Sequence, residues 1–325
     1  MKVSTLLFGL ICFVCVSLQA EVVYVKTGAQ GNGSSWANAT GDLMQALEYA
    51  NAGTEIWVAA GTYVPNRQDR RAYFEVLNGV KLYGGFAGHE TSLSQRDWTR
   101  NKTVLSGEIG SMASQEDNSY TILYTRLASP STVIDGFIIT GGSANGLGEK
   151  GNLETCGGAL FNDGEGGKSN PTISNCIFDG NYGRNGGAIY NFALEGACNP
   201  RIVNCQFVNN KADIDGGAIY NDSRMGICNP VIKGCKIARN EATYGGGILN
   251  YGGNGGEASP VITGCSFEDN IGYIRGGSIY SSEQNGKCNP AITNSHFSEN
   301  KSTVGHETYE NENDQIQSRG VLRRM

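Results

Sequence analysis

Two acidic side chains beside a basic one are the first group in this sequence that suggests chemistry. Asp213 and Asp215 alternate along KADIDGG, so an extended chain would present both carboxylates on one face. Arg184 occupies a similar link segment about 30 residues earlier. Polysaccharide hydrolysis needs two carboxyl groups that face each other across the sugar bond. The sequence offers no convincing catalytic set, and these three residues are the nearest candidates beside the alternative of a solvated loop.

Cysteines form the second group, and eight of them follow the first twenty residues. Ser or Ala replaces Cys in some copies of a repeat, which favours a small buried side chain over a ligand. Parallel neighbours hold their Cβ atoms about 4.8 Å apart, farther than the ~3.8 Å typical of a disulfide. We predict buried free thiols, with a Cys198–Cys228 bridge as the alternative and no metal site. The structural thiol ladder comprises Cys176, Cys205, Cys235 and Cys265.

An aromatic residue recurs at the fifth position of the repeated segment GGAIYN. If the neighbouring Ile and Asn point inward, this side chain points outward from the strand. Such a column could bind sugar rings or a protein, and the alternative is that the rings only stack on one another beneath loops. The candidate ligand-binding residues are Phe161, Tyr190, Tyr220 and Tyr280.

The repeat itself must position these residues. A period of about 30 residues indicates a structural unit that stacks on its neighbours. The Gly pairs, β-branched residues and Asn exclude a helical unit. Each unit is therefore predicted to be one coil of β-strands. The Gly-Gly segments begin at Gly157, Gly186, Gly216, Gly245 and Gly276, and the proline markers are Pro171, Pro200, Pro230, Pro260 and Pro290.

The second strand of each unit reads Pro-x-Ile-x-(Asn/Gly)-Cys-x-Phe, with Ser for Cys or Ile for Phe in single copies. Simple alternation would place Ile and Phe on opposite faces, so a left-handed bend at Asn or Gly must reset the phase. Ile, Cys and Phe then all line the interior. Three residues later comes an Asn whose amide can bond to its equivalents in neighbouring coils. This structural ladder comprises Asn181, Asn210, Asn240, Asn270 and Asn300.

The first twenty residues predict a secretory signal, because Lys2 precedes the apolar run LLFGLICFVCV and Ala20 is a small residue at the cleavage position. The run is too short for a membrane span, and no later stretch is long enough. Beyond it the sequence predicts one helix, which begins at Asp42 with Gln45 in a capping box and ends at Gly53. Such a helix is suited to cover an open sheet edge.

Composition excludes several classes of partner and cofactor. Charged residues make up 17% of the chain, Gly numbers 47 and the net charge is −6. Many glycines favour turn-rich β structure over helices, and the absence of a basic cluster argues against nucleic acid. The histidines His89, His296 and His306 are scattered, no GxSxG motif occurs, and no cofactor is indicated.

The repeats carry a family resemblance. GGAIYN alternating with FxxN resembles the repeats of chlamydial polymorphic outer-membrane proteins. The segments GSSWANA, IWVAAGTY, LYGGFAGHETSLSQRDW and STVIDGFIITGG are similar to exported bacterial β-helix proteins, so the resemblance spans roughly residues 21–300. It implies an all-β, single-stranded right-handed parallel β-helix of the pectin-lyase type, secretion or cell-surface display and, in the chlamydial group, adhesion. It implies no shared enzyme activity.

The predicted organisation has five parts and one principal function. We expect an exported or cell-surface, adhesin-like scaffold that binds a glycan or a host or cell-surface protein without catalysis. The alternative is a polysaccharide lyase or glycoside hydrolase on the same fold, since fold alone does not decide function. The final QIQSRGVLRRM is interpreted as a cut or frameshifted terminus. The parts are a signal peptide (1–20), a cap with the first strands (21–60), irregular coils (61–154), five regular coils (155–300) and a degenerate last coil or disordered tail (301–325).

Overall fold

A computed structural model describes residues 20–111, 114–304 and 309–311, and it confirms the predicted parallel β-helix. Each strand pairs in parallel with the equivalent strand one coil earlier and one coil later, so the coils stack in register. The predicted secretory signal lies outside the described residues except for Ala20. His306 and the segment QIQSRGVLRRM also lie outside them.

Two long sheets are built from the strand that follows the proline of each coil and from the strand after its bend. We name them sheet 1 and sheet 2. Sheet 1 contains Val22–Val25, Glu55–Ala59, Lys81–Phe86, Val133–Asp135, Thr172–Ser174, Arg201–Val203, Val231–Lys233, Val261–Thr263 and Ala291–Thr293. Sheet 2 contains Gly61–Tyr63, Thr103–Ser106, Ile138–Thr140, Ile177–Asp179, Gln206–Val208, Lys236–Ala238, Ser266–Glu268 and His296–Ser298.

Two further sheets close each coil, and a short ladder joins the loops. Sheet 3 follows the Asn corner and contains Ser143–Ala144, Tyr182–Asn185, Lys211–Asp215, Glu241–Tyr244, Ile271–Arg275 and Lys301–Ser302. Sheet 4 follows the Gly pair and contains Phe74–Glu75, Leu123–Arg126, Leu160–Asp163, Ile189–Phe192, Ile219–Asp222, Ile248–Tyr251, Ile279–Ser282 and Tyr309–Asn311. The short ladder pairs Lys168–Ser169 with Ala197–Cys198.

The interior of the coils is lined as the sequence predicted. Ile202, Cys205 and Phe207 are all buried in one continuous core, and Asn204 between them has a φ of 52°. This left-handed residue turns the chain so that Phe207 faces inward instead of outward. Stacked coils then place like side chains on one another, and the rings of Phe178 and Phe207 lie parallel with centroids 4.7 Å apart.

The predicted Asn ladder is present at the corner between sheets 2 and 3. The Asn210 side-chain oxygen accepts the main-chain N–H and the amide Nδ2 of Asn181, both at 3.0 Å. The Nδ2 of Asn210 in turn donates to the side-chain oxygen of Asn240 at 3.0 Å. Asn270 and Asn300 continue it. Because all these amides are buried, the ladder satisfies polar groups that would otherwise destabilise a tight corner.

The predicted helix covers the N-terminal end of the core. It spans Leu43–Glu48, and the Asp42 carboxylate accepts the Gln45 N–H at 3.0 Å as expected. It ends before Gly53, because a turn that begins at Asn51 redirects the chain into sheet 1. Two 3-10 helices are also present, and no helix among the described residues is long and apolar enough to cross a membrane. The 3-10 helices are Trp36–Asn38 and Leu93–Gln95.

Candidate functional site

The outer side of sheet 4 carries the aromatic column that the sequence singled out. Tyr190 alternates with Ile189 and Asn191, so its ring points away from the core of the coil, as expected. It packs against Phe161 at 5.2 Å and edge-on against Tyr220 at 5.1 Å between ring centroids. The rings are nevertheless buried, because a loop contacts Tyr220 and because Tyr280 stacks on Tyr244 of sheet 3. The buried column comprises Tyr124, Phe161, Tyr190, Tyr220, Leu249 and Tyr280.

The covering loop is residues 145–156, which we call the strap. Its Lys150 ammonium donates to the Asp215 carboxylate at 2.6 Å and to the Tyr220 hydroxyl at 3.0 Å. The same ammonium lies over the rings of Tyr220 and Tyr251, 4.9 Å and 5.3 Å from their centroids. These charge-assisted and cation–π contacts fix the strap on the column. A sugar or protein side chain would reach Tyr220 only after the strap had moved.

A second buried ion pair, between Asp222 and Arg224, lies beside the Lys150–Asp215 pair. The Asp222 carboxylate is fully buried and binds the Arg224 guanidinium through Nε and Nη2, at 3.0 Å and 2.7 Å. It also accepts the hydroxyl of Tyr190. Burial, followed by the nearby Asp222 carboxylate, raises the pKa of Tyr190 well above its usual value. The phenol therefore stays protonated and donates to Asp222, which is a structural role.

The three catalytic candidates do not come together. Asp215 is buried and paired with Lys150, and burial raises the pKa of its carboxyl above the usual value. Asp213 is exposed and accepts the Tyr182 hydroxyl at 2.5 Å. The Arg184 guanidinium donates to the Gly148 carbonyl instead of to either acid.

The expectation that Asp213 and Asp215 share a face is wrong, because the strand does not alternate regularly there. The pairing register of sheet 3 shifts between Gly183 and Asn185, so that Asn185 pairs with Asp215. This β-bulge inserts Ile214 between the two acids. The extra residue separates the exposed Asp213 from Asp215, whose carboxylate is buried beneath the strap against Lys150.

The same irregularity creates an exposed apolar surface. Ile214 and Ile274 hold equivalent bulge positions in sheet 3 and are 38% and 39% exposed, and Tyr273 beside them is 47% exposed. The hydroxyl of Tyr273 donates to the Glu241 carboxylate at 2.6 Å, just as Tyr182 donates to Asp213. We call this surface the bulged face. It comprises Tyr182, Asp213, Ile214, Thr243, Tyr273 and Ile274.

The eight described cysteines form buried ladders and present no thiol at the surface. All eight cysteines among the described residues are free thiols and buried. The Cys205 thiol donates to the Val203 carbonyl at 3.4 Å, and burial raises its pKa well above the usual value. Cys198 and Cys228 pack in one small cluster without a disulfide. Protonated thiols of this kind fill space in the core and are poor nucleophiles.

A family profile described as the Chlamydia polymorphic membrane protein repeat matches residues 175–191 and 204–222. Two stretches of this chain are therefore similar to that repeat. Each matched stretch runs from the bend of one coil through the Asn corner and sheet 3 to GGAIYN. The second stretch contains the bulge at Ile214. A comparison of this sequence with curated proteins found no match.

Two solved structures are distantly similar to most of this chain. Pectin methylesterase from Aspergillus niger has 13% identity and a TM-score of 0.41, over 95% of this chain and 92% of that one. An iota-carrageenase complexed with iota-carrageenan fragments has 12% identity and a TM-score of 0.36, over 80% of this chain and 57% of that one. Nothing about the activity of the present chain follows from likenesses this distant.

Proposed function

We propose that this protein is an exported, surface-displayed β-helix that binds a protein partner through the bulged face, without catalysis. The observation that carries the proposal is the pair of exposed isoleucines, Ile214 and Ile274, on one sheet with the exposed Tyr273. Aliphatic side chains at two equivalent bulges place an apolar surface beside Tyr273 on sheet 3. Exposed apolar groups bordered by polar ones are typical of interaction sites.

The chemistry of the bulged face favours a protein over a glycan. Glycan sites use aromatic rings and hydrogen-bonding groups, whereas branched aliphatic side chains offer a sugar neither. Exposed tyrosines beside aliphatic side chains, with polar groups next to them, match the usual composition of protein interfaces. The hydroxyls of Tyr182 and Tyr273 are held by carboxylates of neighbouring coils, so their rings are oriented before a partner arrives.

A binding screen with matched variants tests this proposal. The wild-type protein and an Ile214→Ser/Ile274→Ser variant are compared on an array of cell-surface proteins, matrix proteins and glycans. The control is Ile227→Ser/Val261→Ser, which removes two aliphatic side chains of similar exposure, 46% and 43%, from another surface. We expect the first pair to weaken protein binding by at least about tenfold and the control pair to leave it unchanged. Equal losses, or binding to glycans only, would contradict the proposal.

The enzymatic alternative can be tested with the same preparation. Incubation with pectin and other acidic glycans, with and without calcium, is followed by the absorbance of unsaturated products and by reducing ends. We expect no turnover, because Asp213, Asp215 and Arg184 have separate partners and do not face one another. Turnover that is abolished by Asp213→Asn or Asp215→Asn would replace the binding proposal with a lyase or hydrolase.

A further inference from the structure

The ammonium group of the strap is held by two aromatic rings and a carboxylate. The Lys150 Nζ lies 4.9 Å and 5.3 Å from the ring centroids of Tyr220 and Tyr251, and these rings are tilted by 58° with their centroids 6.5 Å apart. The same nitrogen donates to the Asp215 carboxylate at 2.6 Å and to the Tyr220 hydroxyl at 3.0 Å. Aromatic faces and a carboxylate are the groups with which proteins recognise an ammonium ion. We call Asp215, Tyr220 and Tyr251 the cage.

The repeat does not account for the cage. In sheet 3 the residues paired with Asp215 in the neighbouring coils are Asn185 and Tyr244. In sheet 4 the residue paired with Tyr251 in the preceding coil is Asp222. Other residue types therefore stack at both places, so the packing of coils requires neither a carboxylate nor a second ring there. Burying the Asp215 carboxylate is costly without a cation beside it, which ties this acid to an ammonium partner.

The lysine that fills the cage lies on the tip of the strap, residues 147–152. The Gly146 N–H donates to the Glu154 carbonyl at 2.8 Å, which closes the stem of the strap below this tip. Leu147 at the start of the tip is 96% exposed and adds no packing. A loop with a closed stem can lift its tip while the coils on either side of it keep their hydrogen bonds.

Two arginine side chains add weaker hydrogen bonds to the tip. Arg184 donates to the Gly148 carbonyl at 3.2 Å, and Arg224 donates to the Lys150 carbonyl at 3.4 Å. These distances are at or beyond the long end of the usual range, whereas the Lys150 ammonium is bonded to Asp215 at 2.6 Å. The ammonium is therefore the strongest hydrogen-bonded attachment of the tip. Its side chain is still 31% exposed, so the cage can be reached from solvent.

We propose that the cage is a binding site for a primary ammonium group, which Lys150 occupies while the strap is closed and a lysine side chain of a bound partner occupies when the tip lifts. Asp215 directly follows Ile214 on the same strand, so the cage lies next to the bulged face. The cage follows from the contacts of Lys150 alone, and only the partner's lysine rests on the proposed function. A tethered group competes at a millimolar effective concentration, so the wild-type cage should accept a free amine only weakly.

Chemical rescue of Lys150→Ala tests the cage on the full chain. This substitution removes Cγ, Cδ, Cε and the ammonium, and n-propylammonium supplies the same atoms. We expect propylammonium chloride to raise the Tm of Lys150→Ala saturably, by about 2–4 °C at about ten times its dissociation constant. Propanol, which lacks the charge, should give no saturable rise, and neither should propylammonium with Lys150→Ala/Asp215→Asn.

A second ion pair of the same length supplies the matched control. Lys236 bonds to Glu268 at 2.6 Å, but its side chain is 41% exposed and it lies in sheet 2, away from the cage. Lys236→Ala removes the same atoms, and propylammonium should give it no saturable rise in Tm. An equal rescue of Lys236→Ala, an equal rescue by propanol, or no rescue of Lys150→Ala would overturn the cage, whatever the bulged face binds.

Hydrogen–deuterium exchange of the wild-type protein tests whether Lys150 can be displaced. Propylammonium chloride well above the millimolar range should speed amide exchange in the strap and leave sheets 1 and 2 unchanged, compared with an equal concentration of NaCl. This measurement needs no variant, so it holds even if Lys150→Ala does not fold. Rescue of Lys150→Ala without faster exchange in the wild-type strap would overturn the displacement and mean that the cage holds only Lys150.

Discussion

Replacing one rung of the Asn ladder should destabilise the protein strongly. The Asn210 side chain is fully buried and accepts two hydrogen bonds from Asn181. It donates to the Phe178 carbonyl at 2.9 Å and to Asn240 at 3.0 Å. In Asn210→Ala the Asn181 N–H loses its acceptor and the Phe178 carbonyl loses its amide donor. Each buried polar group left unsatisfied costs about 1–3 kcal/mol, so we expect a loss of about 2–6 kcal/mol.

The adjacent residue supplies the control. Asn209 lies in the left-handed region with a φ of 56°, and its amide makes only exposed hydrogen bonds, to Asp179 and Arg239. Asn209→Gly keeps that backbone conformation and should change the free energy of unfolding by less than about 1 kcal/mol. Urea unfolding followed by circular dichroism measures both variants, and hydrogen exchange at the Asn181 amide locates the effect. If Asn210→Ala cost no more than the control, the ladder would not stabilise the corner.

Three further results are expected from the strap, the buried ion pair and the thiols. Lys150→Met removes the counter-ion of Asp215, whose pKa is already raised by burial, so it should cost about 3 kcal/mol at pH 7. Because the folded state then binds the proton more tightly than the unfolded state, stability should recover as the pH falls, and urea unfolding at pH 7 and pH 5 measures the recovery. Arg224→Met leaves Asp222 buried without its ion pair and should cost about 3–5 kcal/mol, whereas adding Asp222→Asn should restore part of the loss in the same assay. A thiol reagent should label none of the eight described cysteines, Cys205 among them, before unfolding, and labelling in the native state would contradict their burial.

The coils were predictable because the same side chains repeat at the same positions. Ile202, Asn204 and Phe207 recur about every 30 residues, and their shared inward direction required a bend that the structure has at Asn204. The ladder of Asn210 followed from the same register. A stacked repeat makes each local preference appear several times, so that local pattern and overall fold agree.

The position of the strap over Tyr220 was not predictable from the sequence. Lys150 lies in an irregular segment without a repeat, and its partners Asp215 and Tyr220 are 65 and 70 residues away. A single contact between distant side chains leaves no periodic signal in one sequence. The outward direction of Tyr190 followed from alternation, but whether it met solvent or a loop depended on the path of the strap.

The bulges did leave a signal in the spacing. Asn210 and Asn270 precede the next Gly pair by six residues, whereas Asn181 precedes it by five. The extra residue has to be accommodated in the short sheet 3 strand, where the inward side is held by small residues such as Ala212. It therefore projects outward as Ile214. This one-residue difference in spacing is the sequence signal for the bulged face and for the separation of Asp213 from Asp215.

The most direct test of the binding proposal is hydrogen–deuterium exchange of the wild-type protein with and without the partner found by the array. Binding at the bulged face should slow exchange in three strands of sheet 3 and leave sheets 1 and 2 unchanged, because amides covered by a partner exchange less often. Slowed exchange confined to the strap and the tyrosine column, or to sheets 1 and 2, would contradict it. The strands that should be protected are Lys211–Asp215, Glu241–Tyr244 and Ile271–Arg275.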